Sequence, residues 1–205
     1  MPLFLYDSVS GQTILNGKEV VLKMSKSLLS VLLLTLPLFA CAAKIKPSAP
    51  SLQVVSFVDL NKYIGTWYEI ARYPHRFQEG CFGTSATYTL LPDGKIGVLN
   101  QCHKGTLEGE ISTAKGKAWV VDQETNAKLK VSFFWPFSGD YWIIDLGENY
   151  AYAVVGHPTR DYLWILSRNP EMDEAIYNHI LEKLRNQSYD VGKLMKTLQA
   201  KKNPS

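Results

Sequence analysis

Three cysteines and four histidines are the side chains in this 205-residue sequence best suited to nucleophilic, redox or metal chemistry. The histidines (His75, His103, His157, His179) are scattered without the spacing of a metal site. Each reads as a solvated or turn-bound residue. No C-x-x-C pair suggests zinc. There is no P-loop, no H-E-x-x-H and no G-x-S-x-G. The run Gly83-Thr84-Ser85-Ala86-Thr87 sits inside a strand pattern with no helix after it, so it is not a nucleophile elbow. Cys81 and Cys102 remain, and they flank the turn Pro92-Asp93-Gly94-Lys95. In an oxidising compartment they would form a bridge, worth about 3 kcal/mol for a loop of this length. The other reading is a reactive thiol, which needs an activating base or cation. A second cysteine within reach favours the bridge. The expectation is therefore a binding protein rather than an enzyme, with no catalytic residue, no metal and no cofactor.

Cys41 is a separate case. Met24-Ser25-Lys26-Ser27 is a short positive start, Leu28 to Phe39 is apolar, and small residues follow. This is the pattern of a secretory leader, too short to span a bilayer comfortably. Leu38-Phe39-Ala40-Cys41 resembles a bacterial lipobox. That resemblance implies cleavage before Cys41, lipid attachment on its sulfur and, with Ala rather than Asp at position 42, a place in the outer membrane. Acyl chains anchor at about 0.8 kcal/mol per buried methylene. Ordinary secretion, with Cys41 an incidental thiol, is the alternative. Residues 1–23 show no period and precede a second methionine, so they read as an extra or untranslated segment. Residues 41–56 read as a lipidated tether rich in Ala, Ser, Pro and Lys, 57–198 as the folded body and 199–205 as a tail. A net charge of +3 gives no electrostatic reason for nucleic-acid binding. With 46% hydrophobic residues the chain has ample material for a core.

The body alternates apolar and aromatic runs with turns. Strands are expected over 65–74, 84–91, 96–102, 116–122, 129–135, 140–146, 150–157 and 161–168, with Asp93-Gly94 marking a hairpin. Eight strands with short local connections point to an antiparallel up-and-down barrel or a sandwich. After Pro170 the period changes. Residues 171–187 carry Met172, Ile176, Ile180 and Leu184 on one helical stripe, joined by Leu181, which must be buried on the outside of the strands. Residues 189–198 fit a further strand or a helical turn equally well.

Gly65-Thr66-Trp67, opening the first strand, resembles the G-x-W signature of the lipocalin family. Asp161 to Arg168 resembles the family's last strand with its terminal arginine. With the lipobox ahead of them, these make the chain similar to the bacterial lipocalins, outer-membrane lipoproteins related to apolipoprotein D. The resemblance covers about residues 57–195. It implies an all-β, eight-stranded antiparallel up-and-down barrel with one C-terminal α-helix packed outside. It further implies storage or transport of a lipid for envelope maintenance under stress. The middle T-D-Y signature is poorly kept in Asp145-Leu146-Gly147-Glu148-Asn149-Tyr150, so no partner interaction at that loop is carried over. Gly65, Trp67 and Arg168 are structural in this reading, with the guanidinium over the indole. The thiol alternative above would correspond to prostaglandin-synthesising lipocalins.

An eight-stranded barrel is wide enough for one small ligand. Alternation along the strands assigns its lining. The Trp67 face carries Glu69, Ala71 and Tyr73, and the last strand contributes Tyr162, Trp164 and Leu166. Tyr88, Phe133, Trp142 and Tyr152 are expected to join Glu69, Ala71 and Trp164 as ligand contacts. Glu69 either pairs with Arg72 or Arg168 or orients a polar head group. A fatty acid or lysophospholipid is the expected ligand. The competing reading is a barrel filled by its own aromatics, acting as an interaction module in the envelope. A homodimer stays open.

Overall fold

A strand at the edge of a sheet presents unpaired backbone groups, and a closed barrel removes every edge. The computed structural model describes residues 50–200. Cys41, the leader over 24–40 and residues 1–23 lie outside this range. Eight strands form the wall: β1 (Gly65–Arg72), β2 (Cys81–Leu90), β3 (Ile96–Lys104), β4 (Ile111–Val120), β5 (Lys128–Phe134), β6 (Phe137–Leu146), β7 (Tyr152–Gly156) and β8 (Leu163–Ser167). Each pairs antiparallel with the next, and β1 pairs with both β2 and β8, closing the barrel. The up-and-down order puts the β1–β2, β3–β4, β5–β6 and β7–β8 connections at one end, here called the mouth, and the others at the closed end.

The strands at the mouth are longer than expected. β2 begins at Cys81 and β4 at Ile111. The β4 mouth segment Ser112-Thr113-Ala114-Lys115 is largely polar and carries no alternation to read.

The closed end is built on one arginine. A short helix α1 (Leu60–Tyr63) crosses it, capped by Asp59. The Trp67 indole is fully buried beneath and donates from Nε1 to the Tyr63 carbonyl at 2.8 Å. The Arg168 guanidinium lies 3.7 Å from the indole centroid. It donates to the Lys62, Tyr63 and Ile64 carbonyls, which lie at the helix end, and to that of Thr66. Gly65 has φ +96°, a left-handed conformation that favours glycine, and a Cβ there would sit a tight 3.3 Å from Arg168 Nη1. In the altered middle signature, Tyr150 accepts from the Asp59 amide at 2.8 Å and ties the β6–β7 loop to α1.

Helix α2 (Glu174–Asn186) starts later than the period suggests, because Asp173 caps it by accepting from the amides of Ala175 and Ile176. Its buried stripe is Tyr177, Ile180 and Leu184. Ile176, expected on the stripe, is exposed. The stripe packs on the outer face of β1, β6, β7 and β8 through Ile70, Ala71, Ile144, Val154 and Ile165. Lys183 pins the helix to Asp145 of β6 at 2.9 Å. Residues 189–198 contain a 3-10 turn and then β9 (Met195–Lys196), which pairs with β1.

Residues 50–56 are not free tether. Leu52 is buried, the Val55 amide donates to the Ile143 carbonyl, and the chain runs down the outside of the wall into α1. Gln199, read as tail, donates to the carbonyls of Glu69 and Thr84.

Truncating Ile180, which is fully buried, to Ala is expected to cost about 2–5 kcal/mol in urea unfolding. Ile176→Ala is expected to change stability by no more than about 0.5 kcal/mol.

Candidate functional site: an apolar cavity with one polar wall

The barrel is not filled by its aromatics. It encloses a cavity of about 670 Å³ that opens at the mouth, within the usual range for small-molecule sites. Its lower part is apolar, lined by Ile96, Val98, Ala118, Leu129, Val131 and Leu166. Three tyrosines meet there. The Tyr141 hydroxyl lies 2.7 Å from that of Tyr63 and 2.9 Å from that of Tyr88. Burial pushes the Tyr63 and Tyr141 hydroxyls far above their ordinary range and that of Tyr88 up to about 12. The floor is therefore uncharged at any physiological pH. Phe133 packs over Gly116, where a Cβ would come within 2.8 Å of the ring, so the glycine makes room for that side chain.

One wall near the mouth is polar. Glu69 is buried, and its carboxylate Oε1 is 3.2 Å from Arg72 Nε. Gln78 Nε2 donates to Glu69 Oε2 at 2.7 Å, and Trp164 Nε1 donates to Gln78 Oε1 at 3.1 Å. The Thr197 hydroxyl donates to Glu69 from the C-terminal segment. Burial pushes the Glu69 carboxyl above its ordinary value, and the bonds from Thr197, Gln78 and Arg72 oppose that rise. His75 stands beside this wall, its ring 5.3 Å from Trp164 and 5.5 Å from Phe77. Neither ring nitrogen has a well-formed hydrogen bond, because the neighbouring Gln78 amide is committed to Glu69 and Trp164. Burial, aided by the Arg72 charge, lowers its pKa to about 4, so the imidazole is neutral at pH 7.

The structure brings Glu69, Tyr88, Phe133 and Trp164 to the cavity, with Tyr162 and Leu166. It does not bring Ala71, Trp142 or Tyr152 there. A bulge at Ile70 shifts the register of β1 against β8, so Ala71 and Tyr73 turn outward beneath α2 while Arg72 turns inward. Trp142 and Tyr152 face out, Tyr152 donating to Asp145 at 3.1 Å, while Tyr141, Ile143, Ala153 and Val155 face in. Because α2 covers this part of the wall, both faces of β6 and β7 are apolar and alternation cannot tell them apart. Glu69 takes Arg72, not Arg168, as its partner. His75, expected to be solvated or turn-bound, belongs to the cavity mouth. Tyr63, Tyr141, Gln78, Thr197 and Gln199 carried no sequence signal that singled them out.

Cys81 and Cys102 are joined at an S–S distance of 2.05 Å, which removes the reactive-thiol reading for this pair. Among the described residues, no cluster of three or more His, Cys, Asp or Glu side chains could hold a metal ion.

A closed antiparallel barrel with a plugged end, an outer helix and one apolar chamber defines a calyx-type binding protein for small hydrophobic molecules. The family model described as a lipocalin-like domain matches residues 58–199, and the chain belongs to the lipocalin family. It is 40% identical over 156 residues to outer membrane lipoprotein Blc of Escherichia coli, covering 76% of this chain and 86% of that protein. It is 41% identical over 162 residues to temperature-induced lipocalin-1 of Arabidopsis thaliana, covering 75% and 86%. Mouse apolipoprotein D is 35% identical over 161 residues, covering 74% and 82%. Among solved structures, insecticyanin from the tobacco hornworm superposes with a TM-score of 0.60 at 19% identity, covering 75% of this chain and 87% of that one.

Two predictions follow from this geometry. Because the folded pKa of His75 lies below its unfolded value near 6.5, the unfolded chain binds more protons between these values. Stability is full above pH 6.5 and falls as the pH drops toward 4. His75→Phe is expected to flatten that part of the profile, read as urea midpoints at pH 7 and pH 4.5. Reducing the Cys81–Cys102 bridge, which closes a span of 21 residues, is expected to lower stability by about 3 kcal/mol in equilibrium unfolding.

Proposed function

We propose that this protein binds and carries a single-chain lipid, a fatty acid or lysophospholipid, with the acyl chain in the lower chamber and the head group at the polar wall. The observation that carries this reading is the chamber itself, open at one end and uncharged at the other. Each methylene buried there contributes about 0.8 kcal/mol. The Tyr63–Tyr141–Tyr88 cluster satisfies its own hydroxyls and asks for no charged ligand group. Glu69 and Arg72 offset each other, and the His75 imidazole and the Thr84 hydroxyl stand in the cavity lining as polar groups available to a head group.

The likeness to outer membrane lipoproteins and the pattern ending at Cys41 support an envelope location with a lipid anchor at that residue. Maintenance of envelope lipids under stress is the role that fits. The competing reading, a barrel filled by its own aromatics and acting only as an interaction module, is disfavoured because the chamber is open.

The test is native mass spectrometry of the protein extracted under mild conditions. An added mass of a few hundred daltons, identified as an acyl lipid after solvent release, is the expected result. A mass that stays bare when fatty acids and lysophospholipids are supplied sinks the carrier reading. Ala118→Phe places a ring in the lower chamber and is expected to reduce lipid uptake at least about tenfold. Tyr152→Phe, on the outer face, is expected to leave uptake unchanged.

A further inference from the structure

Large exposed apolar side chains are unevenly placed on this barrel. The four most exposed among the described residues are Trp135 at 87%, Phe134 at 80%, Phe77 at 79% and Phe137 at 77%. All four lie at the mouth. Phe77 sits in the β1–β2 connection, and the other three form the β5–β6 tip. At the closed end the exposed apolar residues are Phe57, Leu90 and Val121, and none exceeds 55%. Isolated exposed apolar residues are ordinary, but three on one loop tip at the rim of a binding site mark an interaction surface.

The tip is also uncharged over its whole length. From Val131 to Gly139 there is no charged residue. The charges that bracket it, Lys130 and Asp140, pair with each other at 3.1 Å. A surface of this kind has no use for a charged partner. Aromatic side chains on an uncharged loop suit the boundary between lipid head groups and acyl chains, where Trp is enriched.

The path of the chain supplies an independent argument. Residues 50–58 run along the outside of the wall from the mouth to the closed end. Pro50 accepts from Arg160 in the β7–β8 connection at the mouth, the Val55 amide reaches Ile143 midway, and the Val58 amide reaches Thr125 at the closed end. The chain therefore joins the barrel at the mouth. Cys41 is only nine residues before Pro50, which spans at most about 30 Å when fully extended. A lipid anchor at Cys41 would therefore tether the barrel through its mouth end.

We propose that the mouth is a membrane-docking face. Phe77, Phe134, Trp135 and Phe137 enter the bilayer interface, and the cavity opens directly onto the lipid surface. An acyl chain then passes between bilayer and chamber without crossing bulk water, which avoids re-exposing its methylenes at about 0.8 kcal/mol each. This inference rests on the reading of the cavity as a lipid site.

The five tryptophans (Trp67, Trp119, Trp135, Trp142, Trp164) all lie within the described residues, and Trp135 is the exposed one among them. The full chain is reconstituted into phosphatidylcholine vesicles carrying bromine on the acyl chains, and tryptophan emission is recorded. The expected result is clear quenching in the natural protein and markedly less in Trp135→Phe, where the cavity-lining Trp164 is the remaining reporter. Trp135→Ser is expected to slow lysophospholipid uptake from vesicles about tenfold, equivalent to about 1.4 kcal/mol. Its uptake of the same lipid from dilute monomeric solution should be unchanged. Equal quenching in the natural protein and Trp135→Phe overturns the proposal. So does Trp135 emission that shifts with protein concentration when vesicles are absent, because a second copy of the chain would then cover the rim. Quenching at Trp135 together with a bare mass in native mass spectrometry upholds docking and overturns the carrier reading. Unquenched Trp135 with bound lipid does the reverse.

Discussion

The Arg168 guanidinium on the Trp67 indole is the contact on which the rest of the barrel depends. One side chain satisfies backbone carbonyls of α1 and of the turn into β1, covers the largest buried aromatic at 3.7 Å, and fixes the end of β8 against the start of β1. Without it, the helix end would lose the donor that gathers its carbonyls over the apolar plug. The plug makes one end tight, so the chamber can stay empty above it. A barrel sealed only by a filled interior would have no room for a ligand.

That division of labour explains how much was legible in the sequence. The closed end announced itself, because Gly65, Trp67 and Arg168 are each dictated by one position: a left-handed backbone, a large buried ring and a fork of donors. The strand count and the outer helix also followed from periodicity alone. The cavity lining was legible on β2, on β8 and on β1 as far as Glu69. It failed on β1 beyond that point because the bulge at Ile70 is written in no residue type. It failed on β6 and β7 because Ile143 and Ile144, or Val154 and Val155, are buried on opposite faces by different neighbours. Where the outer face meets α2 rather than water, alternation loses its meaning. The same covering explains Ala71, whose small side chain suits helix packing rather than an open cavity.

The polar wall shows a second kind of economy. A carboxylate, a guanidinium, an amide and an indole N–H form one connected network, with Gln78 bridging Glu69 and Trp164 and Arg72 facing Glu69. The result is a surface with polar atoms and little net field, next to a histidine held neutral by burial. Such a wall places a head group without demanding a particular charge from it, and it leaves the choice among ligands to the shape and length of the apolar chamber. The floor tyrosines follow the same principle, since their hydroxyls are spent on one another.

The C-terminal segment brings a consequence for the order of events in folding. Thr197 and Gln199 hold Glu69 and the carbonyl of Thr84 from the far end of the chain, with up to 130 residues between the bonded partners. Arg168 reaches Thr66 across 102 residues. Contacts so distant in sequence are slow to form, because loop closure must precede any reward from pairing. β1 therefore waits for β8 and β9, and the wall cannot close before both are in place. The chamber is thus enclosed late in folding, by strands far from β1 in the chain.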